Sequence, residues 1–378
     1  MKIVYFTHSL RSCWNHGNAH FLRGVLRELI AQGHHTIAYE PENGWSPSNL
    51  VADHGAEALN AWRFAYPELV VHRYSAGFDA AAACEDADLV IVHEWNESEL
   101  IATLGRARGA GAGHLLLFHD THHRAVSEPA SMRGYDLRDY DGVLAFGESL
   151  AEVYRRDGWG RRVFVWHEAA DTRRFKPPAE ETEREGLVWI GNWGDGERTA
   201  ELEAFLLRPA QQAGLPLDIH GVRYPAEATA LLERYGARYR GWLANAKAPE
   251  VFSRHLATVH VPRRFYVEQL PGIPTIRVFE ALACGIPLVT SPWRDGENLF
   301  RPGRDFLTAD NPESMLELLA LLRSDPACRE ELSRNGLETI RSRHTCAHRA
   351  EELLRIVAAL RGAAAPASPV ESQREATL

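Results

Sequence analysis

Short apolar runs alternate with amphipathic stretches along the first half of the chain. Lys2–Phe6 is the first apolar run, and residues 18–31 place apolar side chains at helical spacing before Gly33, a residue type that often ends helices. Later apolar runs occupy 36–39, 89–92, 115–118, 143–146 and 163–166. Because these runs are continuous rather than alternating, we expect parallel strands that are buried on both faces of a sheet.

A charged, proline-containing segment at 171–185 separates this half from a second series of the same kind. We interpret that segment as a linker. Further strands are predicted at 187–190, 217–220, 258–261 and 287–290, and helices at 199–213, 226–235, 276–283, 312–323, 327–342 and 346–361.

The alternation of strand and helix predicts an α/β protein with two doubly wound domains. We place the first domain at 1–170 and the second at 171–345, followed by a C-terminal helix at 346–362. The tail at 363–378 is low in bulky apolar residues, and we expect it to be disordered. Ligands of such sheets bind beyond the carboxyl ends of the strands, so two facing domains would form a cleft.

Composition and charge narrow the possible partners. The chain has 378 residues and a formal net charge of −9, which argues against a broad nucleic-acid surface but allows a small basic pocket. No apolar stretch approaches the roughly 18–20 residues of a membrane span, and the first residues lack the features of a signal peptide. The five cysteines include no Cys-x-x-Cys pair, which favours reduced thiols and a cytoplasmic location.

The most informative segment reads PGIPTIRVFEALACGIP, from residue 271 to residue 287. Pro274 suits the start of a helix and Gly285 its end. Thr275, Arg277 and Glu280 fall near the helix N-terminus, where free N–H groups and the helix dipole attract phosphate. The alternative is a plain buried helix with an Arg277–Glu280 surface ion pair.

This segment resembles the nucleotide-sugar motif of GT-B glycosyltransferases, in particular the family-four-like and spore-maturation-protein-like branches. The resemblance covers most of the chain and is strongest over residues 188–349. It implies a GT-B architecture, a nucleotide-sugar donor, and Glu280 as the residue that binds the donor ribose. Family-four enzymes usually carry a second Glu eight residues earlier, where this chain has Gly272. That departure fits the spore-maturation-like branch and weakens the prediction of a retaining mechanism.

Other second-half segments fit the same resemblance. The stretch WIGNWGDGER is a strand that runs into a glycine-rich turn, which allows close approach of backbone to phosphate. Gly191 and Asn192 in this turn are predicted to contact the donor. Arg198 resembles the basic residue that neutralises the diphosphate, although an Arg in solvent at the start of a helix is the alternative.

Two further donor contacts are implied after later strands. Arg263 and Arg264 follow a strand end, and adjacent residues of an extended segment point in opposite directions. One of them is therefore expected to face the cleft, and we assign Arg264 to the diphosphate. Trp242 and Leu243 resemble the segment that contacts the nucleotide base, with an ordinary core role for Trp242 as the alternative.

The run HDTHH, which begins at His119, follows a predicted strand of the first half. His119 resembles the histidine of retaining family-four enzymes that reaches the donor sugar, and Asp120 is the accompanying candidate for catalysis. Three His and an Asp in one run also raise the possibility of a metal site. We assign no metal, because GT-B enzymes generally bind the diphosphate without one and no partner cluster stands out elsewhere.

The loop after the first strand contains His16, Gly17 and Asn18. It resembles the loop that approaches the donor or the acceptor in this fold. A zinc pair of His16 with His20 is a weaker alternative, because the Glu found beside such pairs in metalloproteases is absent here.

The sequence thus predicts a metal-independent glycosyltransferase that has no cofactor and uses a nucleotide-sugar as its donor. It determines neither the acceptor nor the oligomeric state. Retention of the anomeric configuration is a subordinate prediction. The alternatives are an epimerase or phosphorylase on the same fold, or a non-catalytic nucleotide-sugar-binding protein, which the glycine at position 272 would favour.

Overall fold

The first domain is built on a fully parallel seven-stranded sheet. The computed structural model describes residues 1–15, 17–180, 182–194 and 196–364, with side chains as far as residue 362. The strands of this sheet are β1 Lys2–Phe6, β2 His35–Pro41, β3 Val71–Tyr74, β4 Leu89–His93, β5 Leu115–Asp120, β6 Gly142–Ala145 and β7 Val163–Val165. Their spatial order is β3-β2-β1-β4-β5-β6-β7. The central strands β4 and β5 are buried along their whole length, as continuous apolar runs require.

Helices cover both faces of this sheet. They are α1 Ala19–Ala31, α2 Trp45–His54, α3 Ala61–Ala65, α4 Ser98–Gly109, α5 Arg124–Ser127, α6 Pro129–Arg133 and α7 Glu148–Asp157. Short 3₁₀ turns lie at Ala56–Asn60 and Ala82–Cys84. Two apolar clusters result, one built around β1 and α1 and the other around β4, β5 and α7.

The second domain repeats the design with six parallel strands. These are β8 Leu187–Ile190, β9 Leu217–His220, β10 Arg238–Gly241, β11 Ala257–His260, β12 Leu288–Thr290 and β13 Leu307–Thr308, in the order β10-β9-β8-β11-β12-β13. Its helices are α8 Thr199–Leu202, α9 Arg208–Gln212, α10 Ala226–Arg234, α11 Ala248–Ser253, α12 Arg264–Glu268, α13 Ile276–Ala283, α14 Pro312–Ser324 and α15 Pro326–Arg343. A π-helical turn, Glu203–Leu207, joins α8 to α9, and a 3₁₀ turn lies at Asn245–Lys247.

The last helix, α16 Cys346–Ala364, crosses back and packs against α1 of the first domain. Leu353 and Leu360 enter the same apolar cluster as residues of β1 and α1. The indole Nε1 of Trp166 donates a hydrogen bond to the carbonyl oxygen of Arg349 at 2.9 Å. The two domains are therefore joined both by the segment between β7 and β8 and by the return of α16.

This architecture confirms the predicted fold class, two Rossmann-like domains that face each other. The sequence pattern missed β3, β10 and β13, which are all edge strands. The first two have largely exposed side chains, VHRY and RYRG, and β13 has only two residues, so none shows the apolar run that identifies a buried strand. Most of the predicted disordered tail, from residue 365 onward, lies outside the described residues. Within the described part of the chain, no helix is both long and apolar enough to cross a membrane.

Candidate active site

A cavity of about 710 Å³ lies between the two domains, where the carboxyl ends of both sheets meet. Loops after β1, β2, β4, β5 and β7 form its first-domain wall. The second-domain wall comes from the ends of β8 and β11 and the start of α13. This is the location where parallel α/β sheets bind ligands, and two facing sheets make one shared site.

A smaller pocket of about 30 Å³ opens beside the cavity. Trp242 and Leu243 line it together with Gly221 at the end of β9. Gly191 and Asn192 line both the pocket and the cavity. The two segments predicted to contact the nucleotide base and the phosphates are thus neighbours along one continuous surface.

Helix α13 directs its N-terminus at the cavity. Thr275 is the N-cap residue in extended conformation, and both Thr275 and Arg277 line the cavity. The hydroxyl Oγ1 of Thr275 lies 3.1 Å from Nε2 of His260, whose Nδ1 lies 3.1 Å from Oγ1 of Thr290. Burial lowers the pKa of His260 to about 3, so this histidine is neutral and fixes the position of the cap. The free N–H groups of α13 and the Arg277 guanidinium make an anion-binding surface.

Glu280 departs from the prediction that it faces the cleft. Its side chain is fully buried, forms an ion pair with Arg277, and places Oε1 2.8 Å from Nδ1 of His20. Burial alone would raise the pKa of Glu280, but Arg277 and His20 outweigh that effect and lower it. Glu280 lines neither cavity, because helix α1 carries His20 over it. In this structure Glu280 holds Arg277, which does line the cavity.

Arginines dominate the second-domain wall. Arg198 lines the cavity, although only 9% of it is exposed, and donates hydrogen bonds to the carbonyl oxygens of Val261 at 2.7 Å and Asn192. Burial lowers its pKa to about 10, which leaves the guanidinium charged at neutral pH. Those backbone contacts orient a fixed positive charge toward the cavity.

The choice between Arg263 and Arg264 needs correction. Arg263 lines the cavity and donates from Nε to Glu197 Oε1 at 2.6 Å. Arg264 instead begins α12, is exposed, and pairs with Glu201 at 2.9 Å on the outer surface. The alternation of adjacent residues was correctly expected, but only the tertiary position of the strand end decides which of the two turns inward.

His119 and Asp120 also lie elsewhere than predicted. Both are fully buried at the end of β5, and neither lines the cavity. His119 Nδ1 is hydrogen-bonded to the hydroxyl of Tyr5, and Asp120 accepts a hydrogen bond from the Tyr154 hydroxyl at 2.7 Å. The chain reaches the cavity one residue later, at Thr121, so the predicted catalytic pair serves as internal support for that loop.

A group of buried acidic residues lies behind this loop. Glu94 is fully buried, its Oε2 3.0 Å from Nε2 of His93, and burial raises its pKa to about 8. Burial, followed by the charge of Glu94, raises the pKa of Asp120 to about 7. Among the described residues, no three His, Cys, Asp or Glu side chains cluster as a metal site would require.

Glu168, just after β7, is a buried acidic residue that does line the cavity. It is 2% exposed, its Oε1 has no hydrogen-bond partner, and burial raises its pKa well above the usual range. Sequence reasoning missed it, although it follows a strand end like the other loops. The short β7, only half-buried, gave no sign that its C-terminal end opens into the site.

The loop after β1 makes a close contact with α13. Gly17 lines both the cavity and the small pocket, and a Cβ at this position would lie 3.1 Å from a methyl group of Ile276. Asn18 lines the cavity and donates from Nδ2 to Thr121 Oγ1 at 2.8 Å. The third predicted residue of this loop, His16, lies outside the described residues.

Gly272 occupies the position where family-four enzymes usually have Glu, and its backbone adopts a positive φ angle. Its φ is +94°, and a Cβ there would lie 3.2 Å from the backbone nitrogen of Gly296. A side chain at this position would therefore be strained by both the backbone angle and the neighbouring loop.

Comparison with known proteins supports the family of the second half and the fold of the whole. Residues 198–355 match the family model described as "Glycosyl transferase-like". No curated protein sequence matches the chain significantly.

Several solved structures share the fold. An α-glucosyltransferase in complex with UDP and a 13-mer DNA containing an HMU base is 13% identical, with a TM-score of 0.68 over 95% of this chain and 99% of that one. HepE of Anabaena, in complex with UDP and glucose, is 13% identical with a TM-score of 0.68 over 95% of this chain and 100% of that one. Sucrose-phosphate synthase from Thermosynechococcus elongatus is 15% identical with a TM-score of 0.64 over 96% of this chain and 100% of that one.

These structures share the fold of this chain over nearly its full length. The protein therefore has the GT-B fold, and residues 198–355 within its second half match a glycosyltransferase family model.

Proposed function

We propose that the protein is a glycosyltransferase and that it takes its sugar from a nucleoside diphosphate sugar whose diphosphate binds at the start of α13. The observation that carries the proposal is the second-domain wall of the cavity. Among its described residues there are four arginines, Arg198, Arg223, Arg263 and Arg277, and no Asp or Glu. Arg198, Arg263 and Arg277, together with the N-terminus of α13, supply the positive charge and the hydrogen-bond donors that a diphosphate needs.

The nucleoside is proposed to extend from the diphosphate along the cavity wall toward the mouth of the smaller pocket beside Trp242 and Leu243. Gly191 and Asn192 connect the two spaces, and the glycine lets the ligand approach backbone closely. We choose UDP as the first nucleotide to test, because the α-glucosyltransferase and HepE were both solved with UDP.

The chemical role of the arginines follows from the bond that breaks. When the bond between the sugar C1 and the diphosphate oxygen breaks, negative charge collects on the leaving diphosphate. Arg198 and Arg277 stand on the donor wall with their guanidinium groups already oriented by backbone oxygens and by Glu280. Pre-oriented cations stabilise the developing charge without rearrangement, and they supply the counter-charge that a metal ion provides in other transferases.

Glu280 is proposed to act as a positioning residue for Arg277. Its carboxylate is buried between Arg277 and His20, so it orients the guanidinium from behind. This role replaces the direct ribose contact that the sequence resemblance implied.

Stereochemistry is proposed to be retention. Attack on the same face as the leaving group can use a departing phosphate oxygen to take the acceptor proton, and it asks mainly for strong phosphate stabilisation. The cationic second-domain wall supports this route, whereas the buried position of His119 removes the support drawn from that residue. An NMR assignment of the product's anomeric centre tests the proposal; an inverted product would make Glu168 the first candidate base.

Calorimetry with a panel of nucleotides and nucleotide-sugars tests the donor site directly. We expect Arg277→Ala to weaken donor binding by about ten- to a hundredfold, since a lost charged hydrogen bond costs about 1.5–3 kcal/mol. Arg264→Ala, which removes an exposed arginine off the cavity, is the matched control and should bind donor normally. Equal donor affinity in the two variants would contradict the proposed site.

Transfer assays with a chelator test the metal-independent part of the proposal. Activity should survive the chelator, because the arginines provide the counter-charge. Loss of transfer that a divalent ion restores would contradict this part while leaving the donor site intact. An epimerised donor, or a sugar phosphate formed from inorganic phosphate, would reveal the epimerase or phosphorylase reaction instead.

A further inference from the structure

The two walls of the cavity differ sharply in charge. The described first-domain residues that line it include three carboxyl side chains, Glu97, Glu128 and Glu168, and no Lys or Arg. All four arginines of the lining belong to the opposite wall. Burial lowers the pKa of His8 to about 3 and that of His122 well below its usual value, so these two histidines of the first-domain wall add no positive charge at neutral pH. The described lining of that wall therefore offers an anionic group no lysine or arginine of its own. The cations close to it are Arg223 of the opposite wall, beside Trp45, and Arg124, which packs on Trp95 without lining the cavity.

Two exposed tryptophans stand on the same wall. Trp45 follows β2 and Trp95 follows β4, and both line the cavity while remaining 52% and 43% exposed. Strands β2 and β4 flank β1, so they lie about 10 Å apart at normal strand spacing. Large aromatic side chains left open at a cavity rim mark a surface that a ligand covers.

Both indoles are held in place by neighbours. The guanidinium of Arg124 lies 4.5 Å from the ring centre of Trp95, and that of Arg223 lies 5.6 Å from the ring centre of Trp45. Trp14 packs against Trp45 edge to face at 5.0 Å. A supported ring loses little freedom when a ligand stacks on it, so each offers a ready binding face.

We infer that this wall is the acceptor site and that the acceptor is a neutral carbohydrate. The inference rests on the proposed donor site, which assigns the arginine wall to the nucleotide-sugar. Sugar rings present C–H groups that pack on Trp faces, and their hydroxyls can donate hydrogen bonds to carboxylates such as Glu97 and Glu128. Asn43 supplies a further polar group beside Trp45. A phosphorylated sugar or a nucleic acid would place its negative charges beside the exposed carboxylates of Glu97 and Glu128.

An acceptor panel with the best nucleotide-sugar tests the inference. The panel contains neutral methyl glycosides and oligosaccharides, sugar phosphates, a DNA oligonucleotide and simple phenols. We expect transfer to neutral glycosides. Trp95→Ala should raise the KM for that acceptor about three- to tenfold, with partial recovery in Trp95→Phe, because an aromatic stack is worth about 0.5–1.5 kcal/mol. Donor affinity measured by calorimetry should not change.

Phe64→Ala is the matched control, since Phe64 is 86% exposed and does not line the cavity. Transfer confined to sugar phosphates, DNA or phenols would overturn the inference, as would equal acceptor KM values in Trp95→Ala and Phe64→Ala. Either result with normal donor binding leaves the proposed function standing. Failure of every nucleotide-sugar to bind would instead refute the proposed function itself, and the acceptor assignment with it.

Discussion

At the residue scale, the Glu280 side chain is expected to contribute both to the stability of the fold and to donor binding. Removing its buried carboxylate leaves the Arg277 guanidinium without its partner, and breaking a buried pair in this way costs about 3–5 kcal/mol. We therefore expect Glu280→Ala to lower the free energy of unfolding by about that amount and to weaken donor binding. Denaturant unfolding and calorimetry measure the two effects.

Glu201→Ala is the control for this prediction, because it removes a partly exposed partner of Arg264 and should cost about 1 kcal/mol or less. If Glu280→Ala loses donor affinity at unchanged stability, Glu280 contacts the donor directly, as the sequence resemblance implied.

The buried carboxyl group of Glu94 should make the free energy of unfolding depend on pH. Its pKa is about 8 in the folded chain, against about 4.3 for an unfolded Glu. Between these values the folded state holds a proton that the unfolded state has released, so stability falls as pH rises and levels off above about pH 8. From pH 7.5 to 8, where unfolded histidines are mostly neutral, the slope is at most about 1.4 kcal/mol per pH unit for this group.

Glu94→Gln keeps the shape of the side chain but cannot ionise. Across pH 6.5, 7.5 and 8.5 the unfolding temperature of this variant should therefore rise relative to that of the natural chain, because the histidines contribute equally to both. Asp120, whose pKa is about 7, accounts for a remaining decline in the same direction. Parallel curves for the variant and the natural chain would show that Glu94 is ionised throughout this range.

At the scale of elements, the backbone of the turn before α13 disfavours at position 272 the glutamate that family-four enzymes usually carry there. Gly272 sits at φ +94° with the backbone of Gly296 close by, so Gly272→Glu should destabilise the protein by about 1–3 kcal/mol and should not improve donor binding. Gly113→Ala is the matched control, since a Cβ at Gly113 meets open space. Thermal unfolding and calorimetry check both points; a stable Gly272→Glu variant with tighter donor binding would contradict the assigned geometry.

At the scale of the whole molecule, contacts across the cleft set how far the domains close. Glu297 of the second domain accepts a hydrogen bond from the backbone N–H of Glu148 at 2.9 Å and lies 3.0 Å from Nε2 of His167. Asn192 also donates to Asn15 across the cleft. The proposed sites place the nucleotide-sugar on one wall of the cavity and the sugar acceptor on the other. We therefore expect bound nucleotide-sugar to favour the closed form of the two domains.

Removing Glu297 should therefore open the free protein. A lost charged hydrogen bond of about 1.5–3 kcal/mol shifts the open-to-closed ratio by at least about tenfold. Small-angle scattering should show a larger radius of gyration for free Glu297→Ala and a clear compaction when the donor saturates it. Glu351→Ala, an exposed change on α16, is the control. Identical scattering from the two variants would mean that Glu297 does not hold the cleft closed.

The sequence by itself determined the fold class and many of the residues that line the cavity. Continuous apolar runs, which arise from burial on both sheet faces, located the central strands of both sheets. Local helix signals placed α13 at Ile276–Ala283, as the structure has it, and brought Thr275 and Arg277 to its cavity end. Strand-end and glycine signals likewise placed Gly17, Asn18, Gly191 and Asn192 at the cavity or the small pocket, and the family resemblance placed Arg198, Trp242 and Leu243 there.

Only the tertiary structure decided which polar residues reach the cavity and which are buried behind it. His119 and Asp120 end a strand at the correct edge, but Tyr5 and Tyr154 from distant parts of the chain enclose them. Glu280 is covered by His20 of the other domain, and Arg263 rather than Arg264 turns inward. Local sequence fixes the element and the face on which a residue lies. Whether that residue is exposed depends on side chains from remote segments of the chain. The local sequence pattern carries no information about those segments.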